Sequence, residues 1–535
     1  MPHPSDPAPP SFPDECLPTG SVVAGDELDA DIEEAFDYVI IGSGAAGAVA
    51  AHVLAKSGAA VAIIEEGPWV KTREFGERVY PAFRRMLRDA GTQAMRGRSY
   101  IPVIQGRCVG GSTVINSAIA HRTPEDVLDE WARHFGLGAE ITARALEPHF
   151  EALEHELNAH GVSDEALGEN NRIFLDEANA IGLPARRTVR YERGCRGSAR
   201  CLTGCPSAAK QGMNVTYVPW ALALGARLFS SCRVERVVVK GGRGTGIVAR
   251  TAALYVGDGD SRARPPRRVT LHARRAVLVA ASAVQTPNLL RRSGLKARAL
   301  GEHFQCHPAY AIAGVFEEPI EMTFGATQGA ESTFLRRTER IKLETISMPP
   351  ELAAARIPGV GRELMSRLGL FAHLAVWGLV VRAEAEGTVT ATWGGRDRIE
   401  WTPATIDVER ARRAVALLAR MMFEAGASEV WPGLHGVPSV LGSMDEVRLI
   451  ERAPPDPRLF SFISTHLFGA ARMGPDARAS VVGPDFQAHE VAELYVIDSS
   501  VFPTNLGVNP QHSIMAMSRL AATRIAAGGK RVQAA

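Results

Sequence analysis

The sequence lacks the features that would tie it to a membrane, to nucleic acid or to a disulfide scaffold. It has no apolar run of about 18 residues or more, the length that a membrane-spanning helix needs. Basic and acidic side chains nearly balance, for a net charge of +1, and 535 residues contain seven cysteines. So few cysteines in a long chain do not indicate a disulfide framework. No basic region followed by an apolar core opens the chain, so we expect a cytoplasmic protein, exported or membrane-associated only through a partner, with no nucleic-acid partner.

The length of the chain predicts more than one domain. A single compact core rarely grows beyond about 250–300 residues, and this chain has 535. Apolar residues make up 46% and charged residues 22%, as in ordinary globular proteins. Residues 1–35 are rich in proline, aspartate and glutamate, and we expect them to form an N-terminal extension outside the domains.

A glycine-rich segment near the N-terminus is the most informative feature. An apolar run at residues 38–41 leads into GxGxxG at Gly42, Gly44 and Gly47, followed by a helix-like stretch, a second apolar run and Glu65. Gly42 would allow a tight turn, Gly44 would let a pyrophosphate approach the backbone, and Gly47 would let helix and strand pack closely. An acid at position 65 suits a ribose 2′-hydroxyl and repels a 2′-phosphate. The order predicts a dinucleotide-binding βαβ unit for FAD or NAD rather than NADP.

Three further blocks follow this segment in a fixed order. They are GRCVGGSTVINSAI (106–119), LVAASAVQTPNLLRRSGL (278–295) with GEHFQCHP (301–308), and HLFGAARMG (466–474) with VIDSSVFPTNLGVNP (496–510). Together with the glycine segment they resemble the glucose–methanol–choline (GMC) oxidoreductases, which are FAD-dependent alcohol oxidases and dehydrogenases. The resemblance implies an α/β fold with a discontinuous FAD-binding Rossmann-like domain and a second α+β substrate domain built on an antiparallel sheet.

The resemblance also implies domain boundaries and a cofactor. The FAD-binding domain would comprise residues 36–135, 225–310 and 465–535, and the substrate domain residues 136–224 and 311–464. FAD, rather than NAD, would then occupy the glycine site.

Several residues match the family's cofactor contacts by motif. Four of them would lie along the FAD pyrophosphate and the edge of the isoalloxazine ring: Gly110, Gly111, Ser112 and Asn116. Glycine-rich turns suit that task because no Cβ keeps an anion away from the backbone N–H groups. Asp498, after the apolar run at 494–497, would lie near the ribityl chain, and Val234 would pack on the adenine.

The catalytic chemistry that the resemblance implies needs a base and a hydrogen-bonding partner. A base takes the hydroxyl proton of the alcohol while the carbon-bound hydrogen leaves as hydride to flavin N5. Histidine suits the base because its pKa lies near neutrality. His466 resembles the family's active-site histidine, and Asn509 resembles the second member of the pair beside the flavin. His512 is a second imidazole that could replace Asn509 if the loop had another register.

A group of three cysteines leaves several interpretations open. Cys195, Cys201 and Cys205 lie close together in sequence, with Pro206 after the last. Iron–sulfur sites use such spacings. The segment resembles the part of some family dehydrogenases that carries a three-iron [3Fe-4S] cluster, and also a cysteine-rich segment of long-chain alcohol oxidases. A disulfide or free thiols are the alternatives, and a zinc site would need a fourth ligand.

The substrate and the electron acceptor are less well defined. The block around residues 109–131 looks most like the long-chain alcohol oxidase branch, and the apolar middle of the chain suits a lipid-like alcohol. A sugar or polyol dehydrogenase passing electrons through an iron–sulfur cluster is the alternative. Further rivals are a GMC-fold lyase or decarboxylase, a non-catalytic flavoprotein and an NAD-linked dehydrogenase. The acceptor would be oxygen, a quinone, a cytochrome or a partner subunit.

Overall fold

A computed structural model describes residues 12–251 and 265–533, with side chains described up to residue 528. Thirteen α-helices occur within these ranges. They are α1 (Ala45–Lys56), α2 (Val79–Met86), α3 (Glu125–Phe135), α4 (Ala143–Glu156), α5 (Asp164–Leu167), α6 (Glu169–Ala180), α7 (Tyr217–Ala223), α8 (Gln285–Arg292), α9 (Pro350–Ala354), α10 (Arg362–Leu368), α11 (Thr405–Glu424), α12 (Val447–Arg452) and α13 (Gln511–Gln533).

The strands of the same ranges divide between two large sheets and several short pairs. They are β1 (Val22–Ala24), β2 (Ile32–Ile41), β3 (Val61–Ile64), β4 (Ala94–Met95), β5 (Ile101–Pro102), β6 (Ala159–Gly161), β7 (Arg186–Arg187), β8 (Val189–Tyr191), β9 (Arg227–Ser230), β10 (Cys232–Lys240), β11 (Arg243–Thr251), β12 (Arg268–Val279), β13 (Gln305–Cys306), β14 (Ala309–Val315), β15 (Ala330–Ser332), β16 (Ile341–Thr345), β17 (Leu374–Val381), β18 (Thr388–Ala391), β19 (Asp397–Glu400), β20 (Glu429–Trp431), β21 (Leu467–Phe468) and β22 (Leu494–Val496).

The first sheet has a parallel centre and an antiparallel edge. Its strand order is β1-β9-β3-β2-β12-β11-β10, and β22 pairs with the end of β12. β2, β3, β9, β12 and β22 run parallel, whereas β10 and β11 are antiparallel. The strands buried on both faces are near-continuous apolar runs, as parallel sheets require. The ligand-binding edge of such a sheet lies at the carboxyl ends of its strands.

The second sheet is antiparallel throughout. Its order is β20-β14-β17-β16-β15-β7, and α11 packs against β14 and β17. The core of the first sheet is separate and lies against α1 and α13, which contact each other. The predicted class, a Rossmann-like unit with a second unit built on an antiparallel sheet, is confirmed.

The N-terminal extension differs from the prediction. Residues 1–35 were expected outside the domains, but β1 pairs in parallel with β9, and β2 begins at Ile32. The reason is that Val22 and Val23 add an edge strand to the sheet, and the first residues of β2 continue the pairing with β12. Residues 1–11 of the predicted extension lie outside the described residues.

Within the described residues, no helix combines the length and the apolar character needed to cross a bilayer.

Candidate active site

A large cavity connects the motifs that are far apart in sequence. Its volume is about 1440 Å³. One end is lined by Gly44 and Val234, and the other by His466 and Asn509. Sites for a single small molecule occupy about 300–1,000 Å³, so this cavity has room for a dinucleotide together with a substrate.

The first glycine turn forces strand and helix into close contact. Gly42 has a φ of +99°, and a Cβ there would lie 2.3 Å from the carbonyl oxygen of Ala280. A Cβ on Gly47 would lie 1.9 Å from the carbonyl oxygen of Gly42. Gly44 is the N-cap of α1 without a side-chain cap, and it faces the cavity. The first N–H groups of α1 are therefore available to an anion.

A second glycine turn packs against the first. Gly110 and Gly111 have φ values of +94° and +55°, and a Cβ on Gly111 would lie 2.9 Å from Cα of Gly44. Ser112 and Asn116 follow and line the cavity. The Ser112 hydroxyl accepts from the N–H of Gly106 at 2.9 Å.

Two buried carboxylates accept hydrogen bonds from the loops around these turns. Glu65 accepts hydrogen bonds from the N–H (3.0 Å) and hydroxyl (2.7 Å) of Ser43 and from the N–H of Gly67 (2.9 Å). Asp498 accepts from the N–H of Ser282 (2.9 Å) and the hydroxyl of Thr286 (2.6 Å). Burial raises the pKa of both carboxyls despite these bonds. Both line the cavity, so the structure brings them to the predicted place, and their contacts with a ribose or ribityl chain stay predictions.

The predicted catalytic pair is assembled at the other end of the cavity. His466 immediately precedes β21, which pairs with β13, and the N–H of His307 donates to the carbonyl of His466 at 3.2 Å. Nδ2 of Asn509 lies 3.3 Å from Nε2 of His466, and Nδ1 of His307 lies 3.2 Å from Nδ1 of His466. Two residues separated by much of the C-terminal segment therefore share one hydrogen bond.

Burial decides the charge state of this histidine. It lowers the pKa of His466 to about 3, and the nearby charge of Lys342 and the ring of His121 add to the effect. We expected a base with a pKa near neutrality. The imidazole of His466 is instead uncharged throughout the physiological range.

A buried charged cluster, Lys342 with Glu331 and Glu344, adjoins the pair and was missed in the sequence. Nζ of Lys342 is fully buried and lies 2.6 Å from Glu344, 3.1 Å from Glu331 and 2.6 Å from Oδ1 of Asn509. Burial opposes the charge of Lys342, but Glu344 and Glu331 outweigh it and raise the pKa of the amine. His121 lies 2.8 Å from Glu331 on the far side.

The structure removes His512 from the candidate catalytic residues. The side chain is fully buried outside the cavity, where Nδ1 meets the Tyr191 hydroxyl and Nε2 lies 3.0 Å from Glu154. The cause is local: α13 begins at Gln511, so the helix turns His512 away from the cavity that Asn509 lines.

The cysteine segment does not assemble into a metal site. Within the described ranges no three metal-binding side chains are grouped to hold an ion, and Cys195, Cys201 and Cys205 are free thiols. The described residues give the cluster interpretation no support. Cys201 accepts from the guanidinium of Arg190 at 3.1 Å, whereas Cys205 accepts from the backbone N–H of Lys210 at 3.4 Å. The two thiols therefore accept hydrogen bonds from different residues.

The substrate end of the cavity has an apolar wall from the second sheet and its loops. The wall includes Ala311, Ala313, Val376, Trp431, Phe460 and Phe462. The last two rings are stacked with centroids 5.0 Å apart. Glu344 also lines this space but is held by the cluster of Lys342.

The family assignment rests on comparisons of the whole chain. Profiles described as GMC oxidoreductase match residues 36–309 and 384–518. The chain belongs to the GMC oxidoreductases. Family membership makes it an oxidoreductase and implies FAD as its cofactor.

Relatives and solved structures agree with this assignment. An uncharacterized GMC-type oxidoreductase of Mycobacterium tuberculosis is 34% identical over 486 residues, which cover 90% of this chain and 74% of that protein. Long-chain-alcohol oxidase FAO1 of Arabidopsis thaliana is 26% identical over 92% of this chain and 66% of its own length. A formate oxidase variant of Aspergillus oryzae RIB40 shares the fold, with a TM-score of 0.71 at 15% identity over 94% of this chain and 100% of that chain.

The residues of this GMC oxidoreductase fit FAD. The start of α1 has no side-chain cap and borders the cavity, so its first backbone N–H groups are placed as a pyrophosphate requires. The N–H groups of Gly42, Gly110 and Gly111 donate instead to Ile64, Ser43 and Cys108. Val234 and Asn116 both line the cavity, and the amide of Asn116 donates to the side chain of Gln511 at 2.5 Å. The chain therefore offers a phosphate cradle and polar groups in the order that the cofactor needs.

Gly47→Ala tests the close packing of the turn. The added methyl would have to occupy space 1.9 Å from the Gly42 carbonyl oxygen, so strand and helix must separate and the cradle must widen. We expect protein purified with little bound flavin and a lower melting temperature, measured by the flavin-to-protein absorbance ratio and by thermal unfolding. Gly76→Ala is the control, because Gly76 has open space around its Cβ position. Full flavin occupancy in Gly47→Ala would contradict the packing argument.

The buried histidine predicts a pH dependence of stability. The pKa of His466 falls from 6.5 to about 3 on folding, so folding opposes protonation. The contribution of this ring to the free energy of unfolding is fully present above pH 6.5 and is lost as pH falls toward 3, because the unfolded chain binds the proton more tightly. We expect His466→Gln to lessen this fall in melting temperature, whereas His134→Gln, at an exposed site, should not. Identical slopes in wild type and His466→Gln would contradict the burial of a neutral ring.

Proposed function

We propose that this GMC oxidoreductase oxidises a lipid-like or other apolar alcohol to the carbonyl compound. The observation that carries the proposal is the pair of His466 and Asn509, 3.3 Å apart, at the point where the cofactor cavity continues into an apolar chamber. FAD, when bound, supplies the acceptor for the hydride at N5. Gly44 and the first residues of α1 are the backbone positions that we propose hold its phosphates.

The chain's own residues handle the proton and orient the alcohol. Nε2 of the uncharged His466 has one lone pair, so the alcohol hydroxyl displaces the amide N–H of Asn509 from it. Nε2 then takes the hydroxyl proton, and the displaced N–H donates to the alcohol oxygen as negative charge develops there. The carbon-bound hydrogen then leaves with its electron pair, and the C–O bond becomes the carbonyl. The alcohol thus loses its hydroxyl proton to His466 and a hydride from its carbon, and the product is the carbonyl compound.

The wall of the chamber supports an apolar substrate. Ala311, Ala313 and Val376 lie on one face of the second sheet and line the cavity, as do the stacked rings of Phe460 and Phe462. Binding against such a surface is favoured by about 0.8 kcal/mol for each substrate methylene that it removes from water. The relative named a long-chain-alcohol oxidase supports the same substrate class, and it makes oxygen the first acceptor to test.

His466→Ala should slow flavin reduction by an alcohol by about a hundredfold or more, because a general base contributes roughly that much. The measurement is anaerobic bleaching of the flavin absorbance with a primary aliphatic alcohol. Bound flavin should stay at the wild-type level, which separates loss of the base from loss of the cofactor. Reduction at the wild-type rate would reject the role of His466. A wild-type flavin that no alcohol bleaches would favour the lyase, decarboxylase or non-catalytic alternatives.

Ala311→Phe should narrow the apolar chamber and change the preference for chain length. Ala311 lies on β14 and lines the cavity, so an aromatic ring there fills space that long alcohols need. We expect kcat/KM to fall for long aliphatic alcohols and to change little for short ones. The control is Ala391→Phe, on the surface strand β18. An equal loss for short and long alcohols would contradict the proposed substrate wall.

A further inference from the structure

The buried amine of Lys342 contacts the proposed catalytic pair without facing the substrate. It lies on β16, is 0% exposed, and donates to Oδ1 of Asn509 at 2.6 Å as well as to Glu344 and Glu331. Burying a cation is costly unless charge partners and hydrogen bonds compensate it. The two carboxylates supply the charge, which leaves the bond to Asn509 to be explained.

That bond fixes which way the amide of Asn509 points. A lysine amine has three donors and no acceptor, so the atom of Asn509 that faces it must be the carbonyl oxygen. The amide nitrogen must then face Nε2 of His466, 3.3 Å away. The orientation follows from the chemistry of lysine alone, and a rotation of the amide by half a turn would set two donors against each other.

The amide in turn selects the tautomer of His466. Because an N–H group approaches Nε2, that nitrogen must carry its lone pair, and the proton of the neutral ring sits on Nδ1. Nδ1–H then donates to Nδ1 of His307 at 3.2 Å. Nε2–H of His307 donates to Oδ1 of Asn505, also at 3.2 Å.

At the far end of this chain of hydrogen bonds, Asn505 favours the same proton order and Gly507 opposes it. The amide nitrogen of Asn505 donates to Gln305 and to the carbonyl of Ala383, both at 2.8 Å, so Oδ1 must face His307. The N–H of Gly507, however, lies 2.9 Å from Nε2 of His307 and favours the reverse proton order. The reverse order would set Nε2–H of His466 against the amide N–H of Asn509, and turning that amide would break its bond to Lys342, a charge-assisted bond about twice as strong as a neutral one.

We propose that Lys342 is a positioning residue that keeps Nε2 of His466 unprotonated, through the side-chain amide of Asn509. The inference deepens the proposed function and rests on it for its catalytic meaning. The ring nitrogen without a proton is the one that can accept the hydroxyl proton of the alcohol, so the wrong tautomer would present a donor where a base is needed. The charged and titratable groups that surround this chain of hydrogen bonds are Glu331, Glu344, His121, Arg186, His307 and Arg382.

Nitrogen NMR of the holoenzyme with isotope-labelled histidine tests the tautomer without any substrate. The His466→Gln variant identifies the signals of His466. We expect the unprotonated, pyridine-type signal at Nε2 in wild type and a shift of the population toward unprotonated Nδ1 in Lys342→Met. Lys210→Met is the matched control, because Lys210 is equally buried but donates to backbone carbonyls. A wild-type enzyme with its pyridine-type nitrogen at Nδ1 would overturn the proposal, whether or not an alcohol is oxidised.

A double-mutant cycle tests the route through Asn509. In the otherwise wild-type enzyme, we expect Lys342→Met to slow flavin bleaching by about a hundredfold. In the Asn509→Ala background we expect the same change to slow it by about threefold or less, because the effects of coupled residues are not additive. Lys342→Arg should restore part of the rate. Equal losses in both backgrounds would mean that Lys342 acts on the fold and not through the amide.

Asn509→Asp keeps the proposal testable if Lys342→Met fails to fold. Aspartate has the shape of asparagine and still accepts from Lys342, but its second oxygen would face Nε2 of His466 and hold a proton there. We expect the acid limb of the flavin-reduction rate to move to higher pH by one unit or more, since a carboxylate favours the protonated ring. A pH profile identical to that of wild type would overturn the selection of the tautomer by residue 509.

Discussion

The site depends on a backbone contact that only glycine allows. The carbonyl of Gly42 occupies the space where Gly47 would carry a Cβ, and a Cβ on Gly111 would lie 2.9 Å from Cα of Gly44. These contacts bring the end of β2, the start of α1 and the second glycine turn to one point. Because the strand–helix unit is closed so tightly, the N–H groups at the start of α1 face the cavity rather than protein. The carboxylates of Glu65 and Asp498 then fix the loops around this point.

The reactive end of the cavity is built from segments that are remote in sequence. His466 is held by the short pairing of β21 with β13, and Asn509 by its place just before α13. Lys342 reaches the same amide from the second sheet. Burial keeps the pKa of His466 low, and the charge of Lys342 contributes to that effect. Burial therefore keeps His466 uncharged, and in the proposed mechanism its hydrogen bond with Asn509 selects the nitrogen that acts as the base.

The sequence predicted the fold and the cofactor cradle because both leave local signals. Glycines at fixed spacing, flanked by apolar runs, have a steric meaning that holds in any chain, and His466 and Asn509 lay in blocks that match a family. His512 was misjudged because its direction depends on where α13 begins. Lys342 could not be found, because Lys342 and Glu344 alternate with Ile341 and Leu343 like the solvent side of an exposed strand. The spacing of the cysteines was compatible with a metal, but the spacing does not reveal that Arg190 meets one of these thiols.

The bond between Lys342 and Asn509 joins the two halves of the molecule. Lys342 belongs to the antiparallel sheet and Asn509 to the segment that leads into α13 beside the nucleotide-binding sheet. Swinging the sheets apart would pull this buried cation from one of its three oxygen partners and release the amide that orients the base. In the proposed reaction the two sheets therefore have to stay together at this contact while the alcohol enters and the product leaves the cavity.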